Sequence, residues 1–349
     1  MVPSDLEPIT AADGAVHVLD QTRLPHEVVR LPLESLADAA EAIRAMRVRG
    51  APLIGVTAAF GMVLAMRSDP SDESLALATT TLLETRPTGV NLRRVVVGLN
   101  EVLSHAAPAD RAAKALVEAD RLRDEDISMN RSIGDHGLPL LRRIASRKPG
   151  PVQVLTHCNA GILATAGYGT ATAPMYRAHE EGLPLHVWVD ETRPRNQGAS
   201  LTAWELGRAG IPHTVIVDNA GGHLMQRGLV DLCIVGTDRT LLSGDVCNKI
   251  GTYLKALAAY DNGVPFYAAV PGLSIDWEAT DPESVPIEER DGSEVAELGG
   301  VRLVPDGTPT ANYGFDVTPA RLVTGLITER GVCEASEDGL RGLYPEVES

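Results

Sequence analysis

The sequence predicts an α/β protein: an N-terminal, mostly helical domain with a small β entry, followed by a Rossmann-like parallel-sheet domain. Three observations carry this. From Val152 onward, short apolar runs stop abruptly on polar residues, pass through a Gly-containing turn and continue into helix-like segments, which is the pattern of repeated βα units. The polar stops recur. Val152 to Thr156 runs into His157 and Cys158, Leu185 to Val189 into Asp190 and Glu191, Val215 to Val217 into Asp218 and Asn219, and Leu232 to Val235 leads to Asp238. Before Arg147-Lys148-Pro149-Gly150-Pro151 the apolar residues instead follow helical spacing. The predicted organisation is therefore a helical domain over residues 1–147 and a Rossmann-like catalytic domain over 148–349. Ligands of such sheets sit beyond the carboxyl ends of the strands, so the four polar stops are expected to converge in one crevice.

Composition narrows the function. The 349 residues are 44% hydrophobic and 22% charged, an ordinary globular balance able to bury a sizeable core. Met1-Val2-Pro3-Ser4-Asp5 has no basic or apolar leader character, and no stretch is expected to reach the roughly 20 apolar residues that span a bilayer. A cytoplasmic protein with no membrane partner is the expectation. Cys158, Cys233, Cys247 and Cys333 form no CxxC pair, which argues against a disulfide frame or a zinc site. A formal net charge of -16 opposes nucleic-acid binding, which needs a basic footprint. A single small phosphorylated ligand remains compatible, given a few well-placed arginines.

In chain order, Val16 to Leu33 reads as a β-hairpin, and Ser35 caps a helix carrying Leu36, Ala39, Ala40, Ile43 and Met46 on one face. Arg49-Gly50-Ala51-Pro52 then opens a second helix, with Pro52 suited to its first turn. Free N–H groups, the helix dipole and an adjacent guanidinium together favour phosphate, although a plain helix corner with a surface arginine is the commoner meaning of such a stretch. Residues 71–84 form another helix, Arg86 sits in a Pro/Gly corner, and a helix runs from Val90 to about Ser104. The amphipathic segment from Ala109 to Arg143 is expected to break near Gly134 and Gly137.

The second half carries the chemistry. Cys158 ends the first strand at Asn159-Ala160-Gly161, a turn that can set a thiol at a helix N-terminus, where the dipole favours the thiolate; on its own, such a cysteine is more simply a buried structural residue. The polar loop Glu191 to Gly198 precedes a helix over Ala199 to Arg208. Asp238 follows a continuous apolar strand, so its carboxyl should be partly desolvated and able to hold a proton, unless it merely caps a helix or pairs with Arg239. Asn248 and Lys249 are expected to begin the helix running through Tyr260. Thr318 and Pro319 are read as the start of a last helix with Leu322, Val323, Leu326 and Ile327 on its apolar face, and the tail beyond Gly331 as peripheral.

Arg49-Gly50-Ala51-Pro52, Arg86-Pro87-Thr88, Cys158-Asn159-Ala160-Gly161, Asp190-Glu191-Thr192-Arg193-Pro194, Gln197-Gly198, Asp238-Arg239, Gly244 to Thr252 and Phe315 to Ala320 together resemble the signature series of methylthioribose-1-phosphate isomerases. These are enzymatic relatives of the regulatory subunits of translation initiation factor 2B. The resemblance extends from about Leu19 to Gly331. It implies a cofactor-independent, metal-free aldose–ketose isomerase of methionine salvage, converting 5-methylthioribose 1-phosphate to 5-methylthioribulose 1-phosphate, and typically a homodimer. It further implies that Cys158 and Asp238 are the catalytic pair, and that Arg49, Gly50, Ala51, Arg86, Gln197, Asn248 and Lys249 bind the substrate.

Departures from the family pattern fall at Pro271-Gly272-Leu273-Ser274, at Asn312-Tyr313-Gly314-Phe315 and at Thr237. They leave open the related substrates 5-deoxyribose 1-phosphate and ribose 1,5-bisphosphate. A non-catalytic subunit that senses a sugar phosphate or nucleotide is the alternative of a different class, against which the retention of both Cys158 and Asp238 argues. A nicotinamide dehydrogenase is excluded because Cys158-Asn159-Ala160-Gly161 stands where a GxGxxG turn would be needed.

Overall fold

The computed structural model describes residues 6–12, 15–87 and 89–347. Three antiparallel strands open it: β1 (Ile9–Ala12), β2 (Ala15–Leu19) and β3 (Arg30–Leu33). The expected hairpin is β2–β3, and β1 adds an outer strand. Helix α1 (Leu36–Arg44) begins at Ser35, whose hydroxyl accepts from the Asp38 N–H at 3.2 Å; a cap of this kind stabilises by about 1 kcal/mol.

Helix α2 (Ala51–Ser68) is the centre of the first half. It is long and apolar enough to cross a membrane by length and composition, contrary to the sequence expectation. Every residue from Leu53 to Met66 is buried, however, and a helix apolar on all sides belongs in a protein core as readily as in a bilayer. It packs against α1, α3 (Asp72–Leu83), α4 (Val90–Ser104) and α5 (Pro108–Ala145).

The break expected near Gly134 and Gly137 is absent, and α5 is continuous. The two glycines serve packing instead. A Cβ at Gly134 would lie 2.8 Å from Arg177 Cγ and one at Gly137 2.4 Å from Pro174 Cγ, so α6 (Ala173–Glu180) crosses α5 where side chains are missing. On either side of that crossing, Ile133, Leu138 and Leu141 pack with Val154, Val187 and Leu232 of the second half, so α5 contributes to both cores.

Asp126, buried in α5, accepts from Ala166 N–H at 2.6 Å and Asn130 Nδ2 at 3.0 Å. Burial still pushes its carboxyl up to about 7. An acid whose folded value exceeds its unfolded one stabilises fully below the unfolded value, and that contribution is lost as pH rises through the folded one. Asp126→Asn should therefore stabilise the protein at pH 8 by on the order of 2 to 4 kcal/mol, with the gain fading toward pH 4. Urea midpoints at the two pH values measure this.

The second half is a seven-stranded sheet containing β4 (Val152–Thr156), β5 (Leu185–Asp190), β6 (His213–Ile216), β7 (Leu232–Val235), β10 (Phe266–Ala269), β15 (Gly325–Thr328) and β16 (Gly331–Cys333). Its order is β16-β15-β10-β7-β4-β5-β6, parallel except for the antiparallel edge strand β16. Strand β4 is central: the chain winds from it through β5 and β6 to one side, then through β7, β10 and β15 to the other. The topological switch therefore lies between β4 and β7. A smaller sheet in the order β11-β8-β9-β14 stands beside it, formed by β8 (Arg239–Leu241), β9 (Val246–Lys249), β11 (Ile275–Asp276) and β14 (Phe315–Thr318). Strands β12 (Glu297–Leu298) and β13 (Val301–Arg302) pair separately, and α8 (Ala220–Gln226) links β6 to β7.

The C-terminal expectation is overturned. Thr318 and Pro319 do not start an α-helix: β14 gives way to a single 3-10 turn at Ala320–Leu322 and then to β15. All four residues of β15 are buried, and a short apolar run buried on both faces has no periodicity that separates strand from helix. The tail is not peripheral either, since Leu340 and Tyr344, in and just after helix Glu337–Leu343, are buried in the core against Phe266 and Leu326.

Candidate active site

At the switch point the turn after β4 carries Cys158 and the turn after β7 carries Asp238. Both line one cleft. The same cleft is lined by Arg49, Gly50, Ala51, Arg86, Gln197, Asn248 and Lys249, so all nine residues singled out in the sequence meet, drawn from both halves of the chain. Gly50 is the N-cap of α2 and Pro52 lies in its first turn, which turns the N-terminus of an 18-residue helix toward the cleft.

Cys158 has φ +66°, the left-handed conformation of a tight turn. Its N–H donates to Thr192 Oγ1 at 2.8 Å, and its thiol donates to Gln197 Oε1 at 3.4 Å. The expected helix N-terminus is not there: one 3-10 turn, Ile162–Ala164, follows, and the next α-helix starts at Ala173. No helix begins at its own turn, and burial dominates, pushing the thiol above its ordinary value against the opposite pull of Arg49 and Lys249. Cys158 is therefore a protonated thiol at neutral pH.

Asp238 is half-buried at the cleft wall, and its N–H donates to Cys247 O at 3.0 Å. Burial raises its carboxyl above the ordinary range, while Lys249, Arg49 and Arg86 counteract. The neighbouring Arg239 guanidinium pairs with Asp276 at 3.4 Å. Arg49 is buried and donates through Nη1 to Asn159 Oδ1 and through Nη2 to Asn159 O, the second at 2.5 Å. Arg86 pairs with Glu288 at 3.1 Å. Lys249 Nζ donates to Gly314 O at 2.8 Å and stands 4.7 Å from the centre of the Phe315 ring. Asn248 Nδ2 donates to Thr252 Oγ1 at 3.0 Å.

Asn248 and Lys249 reach the cleft from a different element than expected. They end strand β9, and helix α9 (Thr252–Asp261) begins only after Gly251 at φ +101°, so no helix N-terminus stands behind them. The helix expected over Ala199 to Arg208 is likewise divided, a wide π turn at Gly198–Thr202 running into α7 (Ala203–Arg208).

The four polar strand ends do not all converge. His157, Asp190 and Asp218 form a separate cluster, with His157 Nδ1 2.8 Å from Asp190 Oδ2 and 4.0 Å from Asp218 Oδ1. One atom from each residue lies within 4.8 Å of the others, a spacing able to hold a metal ion. Lys255 already fills that role: its Nζ is 3.1 Å from Asp190 Oδ2 and also donates to Asp218 O, supplying the compensating charge from within the chain.

Sequence reasoning passed over Asn159 as the anchor of Arg49, and Met46, Leu92 and Val285 as apolar lining. The first falls inside a recognised motif, and the others carry no local signal. Of the departures from the family pattern, Thr237 lines the cleft, as do Pro271 and Phe315, which flank the other departures and keep the pattern. The Gly272 N–H instead donates to Glu329 at 3.0 Å, and Leu273 O accepts from Arg94 at 3.3 Å.

A helix N-terminus, buried cations and a thiol and carboxyl at the switch point of a parallel sheet define a site for a small anionic ligand. The chain belongs to the initiation factor 2 subunit family, whose model matches residues 47–335. Within it, the chain is 60% identical to the methylthioribose-1-phosphate isomerase of Rhodospirillum rubrum, covering 95% of this chain and 90% of that one. It is 61% identical to the enzyme of the same name from Methylorubrum extorquens, over 96% and 95%. Among solved structures it resembles 5-methylthioribose 1-phosphate isomerase from Pyrococcus horikoshii, with 37% identity, TM-score 0.89 and 99% of each chain covered. It also resembles the delta subunit of translation initiation factor eIF-2B from A. fulgidus, with 37% identity and TM-score 0.84 over 97% of this chain and 99% of that one.

Proposed function

We propose that the protein is an aldose–ketose isomerase that converts 5-methylthioribose 1-phosphate to 5-methylthioribulose 1-phosphate. The observation that carries this reading is the meeting of Cys158 and Asp238 in one cleft with the N-terminus of α2 and the buried Arg49. Phosphate on C1 prevents the sugar from opening to a free aldehyde. The C1–ring oxygen bond must break with a proton delivered to that oxygen; the C2 hydrogen moves to C1, and the 2-hydroxyl gives up its proton as the ketone forms. One proton enters and one leaves, so a donor and an acceptor suffice.

Burial keeps Cys158 protonated at neutral pH, and a carboxyl, even raised, is the stronger acid of the two. We assign donation to Cys158 and acceptance to Asp238. Arg49 and the first turn of α2 bind phosphate, and Arg86, Gln197, Asn248 and Lys249 hold the phosphate and hydroxyl oxygens.

Met46, Ile54, Leu92, Val285 and Phe315 supply apolar lining. That favours the methylthio group over hydrogen or a second phosphate at C5. Removing a group of roughly two methylenes' size from an apolar subsite should cost about tenfold in kcat/KM, so 5-deoxyribose 1-phosphate should turn over about that much less efficiently. Ribose 1,5-bisphosphate, whose second phosphate would meet apolar side chains, should be poorer still. Comparison of kcat/KM for the three compounds tests the assignment; a preference for the bisphosphate would sink it.

We further propose that the enzyme works in the cytosol as a homodimer. Support for self-association comes from exposed apolar residues on and beside edge strand β6 and on α9, including Val217, Leu254 and Tyr260.

A further inference from the structure

Glu205 lies in the first turn of α7 and is completely buried. It lines no part of the cleft. Its Oε2 accepts from Leu163 N–H at 3.2 Å, and its Oε1 lies so close over Gly161 that a Cβ there would stand 1.4 Å away. The Asn159 amide and the Tyr176 hydroxyl from α6 are near enough to the same carboxyl to favour its charged form, but neither Oε1 nor the Tyr176 hydroxyl has a partner at hydrogen-bond distance. Asn159 is the residue that holds Arg49 through both its side chain and its carbonyl, and its Nδ2 donates to Thr202 Oγ1, which donates in turn to Cys158 O at 2.7 Å.

A buried guanidinium needs a counter-charge. With Cys158 protonated, two carboxyl groups are left to supply negative charge to Arg49: Asp238 and Glu205. In the proposed reaction Asp238 takes a proton from the substrate, so it cannot be the standing partner. Glu205 takes no part in the chemistry and can.

We propose that Glu205, as the carboxylate, is a positioning residue that fixes the turn from Asn159 to Leu163 from below and keeps Arg49 aimed at the bound phosphate. This rests on the isomerase reading, in which Arg49 binds the phosphate. The groups facing Glu205 are Arg49 from the segment just before α2, Tyr176 from α6, and Asn159 and the Leu163 N–H from the turn. Burial pushes its carboxyl up to about 7, so its charge changes across the neutral range. The sign follows: above that value the carboxylate is present and Arg49 is held, and below it the support is lost, so KM should rise as pH falls.

The test is KM and kcat between about pH 6 and 8.5 for the wild type, Glu205→Gln and Tyr176→Phe, with melting temperatures to establish folding. Glu205→Gln should raise KM about tenfold at the alkaline end, the order lost with a charge-assisted contact, while kcat changes little. It should also lack the part of the wild-type KM rise that belongs to Glu205; ionisation of Asp238 and of the substrate phosphate is common to both proteins and cancels in the comparison. Tyr176→Phe removes a group that favours the carboxylate, so its KM rise should begin at higher pH. A Glu205→Gln enzyme with wild-type KM and an unchanged pH dependence overturns the proposal. Should that variant fail to fold, Tyr176→Phe decides alone, and an unmoved KM rise overturns it.

Calorimetry with inorganic phosphate separates this inference from the reading beneath it. A wild type that does not turn over removes the isomerase reading, yet Glu205→Gln should still bind phosphate about tenfold more weakly. Equal phosphate affinities overturn the role of Glu205 whatever the turnover.

Discussion

Cys158→Ala and Asp238→Asn should each lower kcat by about 10³-fold, the range supplied by a positioned acid or base, with KM nearly unchanged and the fold retained. The reason is local. Removing the Cys158 sulfur forfeits a single weak hydrogen bond, to Gln197 at 3.4 Å, and Asp238→Asn keeps the N–H bond to Cys247 O and the side-chain shape. Each change therefore deletes a proton site while leaving the cleft in place, and loss of kcat at constant KM marks an interaction made only in the transition state. A variant that turns over like the wild type removes its residue from the mechanism. A parallel rise in KM would instead place the residue among the binding groups.

The second large effect concerns a residue with no chemistry at all. Gly50 has φ +90°, and a Cβ there would stand 2.4 Å from Ala164 O and 2.6 Å from Ala164 Cα. The obstacle is backbone, which cannot rotate away. Gly50→Ala adds the strain of a left-handed alanine to a clash between the N-terminus of α2 and the segment just beyond Cys158, together about 3 to 5 kcal/mol. The melting temperature should fall by on the order of 10 °C. What remains folded should bind substrate poorly, because Arg49 and Cys158 sit on the two segments forced apart. A melting temperature within about 2 °C of wild type would show that α2 and the Cys158 turn are not locked together in this way.

The parts of the site legible in the sequence were those where one residue type meets one structural position. Cys158 and Asp238 follow apolar strands, and strand ends at a switch point are where ligands gather. Arg49-Gly50-Ala51-Pro52 announces a helix start, and the structure puts one there. Asn248 and Lys249 were placed on the wrong element because Val246-Cys247-Asn248-Lys249 is too short for its period to declare strand or helix; pairing with β14 decides it. The same ambiguity misplaced β15, whose identity comes from its parallel neighbour β10. The glycines of α5 look like breaks in one dimension and prove to be contacts in three. Glu205 was invisible, since a glutamate in a helix is ordinarily solvated, and only the fold brings it under Gly161.

One measurement bears most directly on the central claim that this cleft isomerises a sugar phosphate through Cys158 and Asp238. The purified protein, with no added cofactor, is incubated with 5-methylthioribose 1-phosphate labelled with carbon-13 at C2, and the label is followed by NMR. The account predicts that the wild-type C2 signal moves into the ketone region, while in Asp238→Asn it stays with the bound, unreacted sugar. A wild-type spectrum that never changes, although calorimetry shows the sugar phosphate bound, would contradict the account and leave a binding protein built on an isomerase fold.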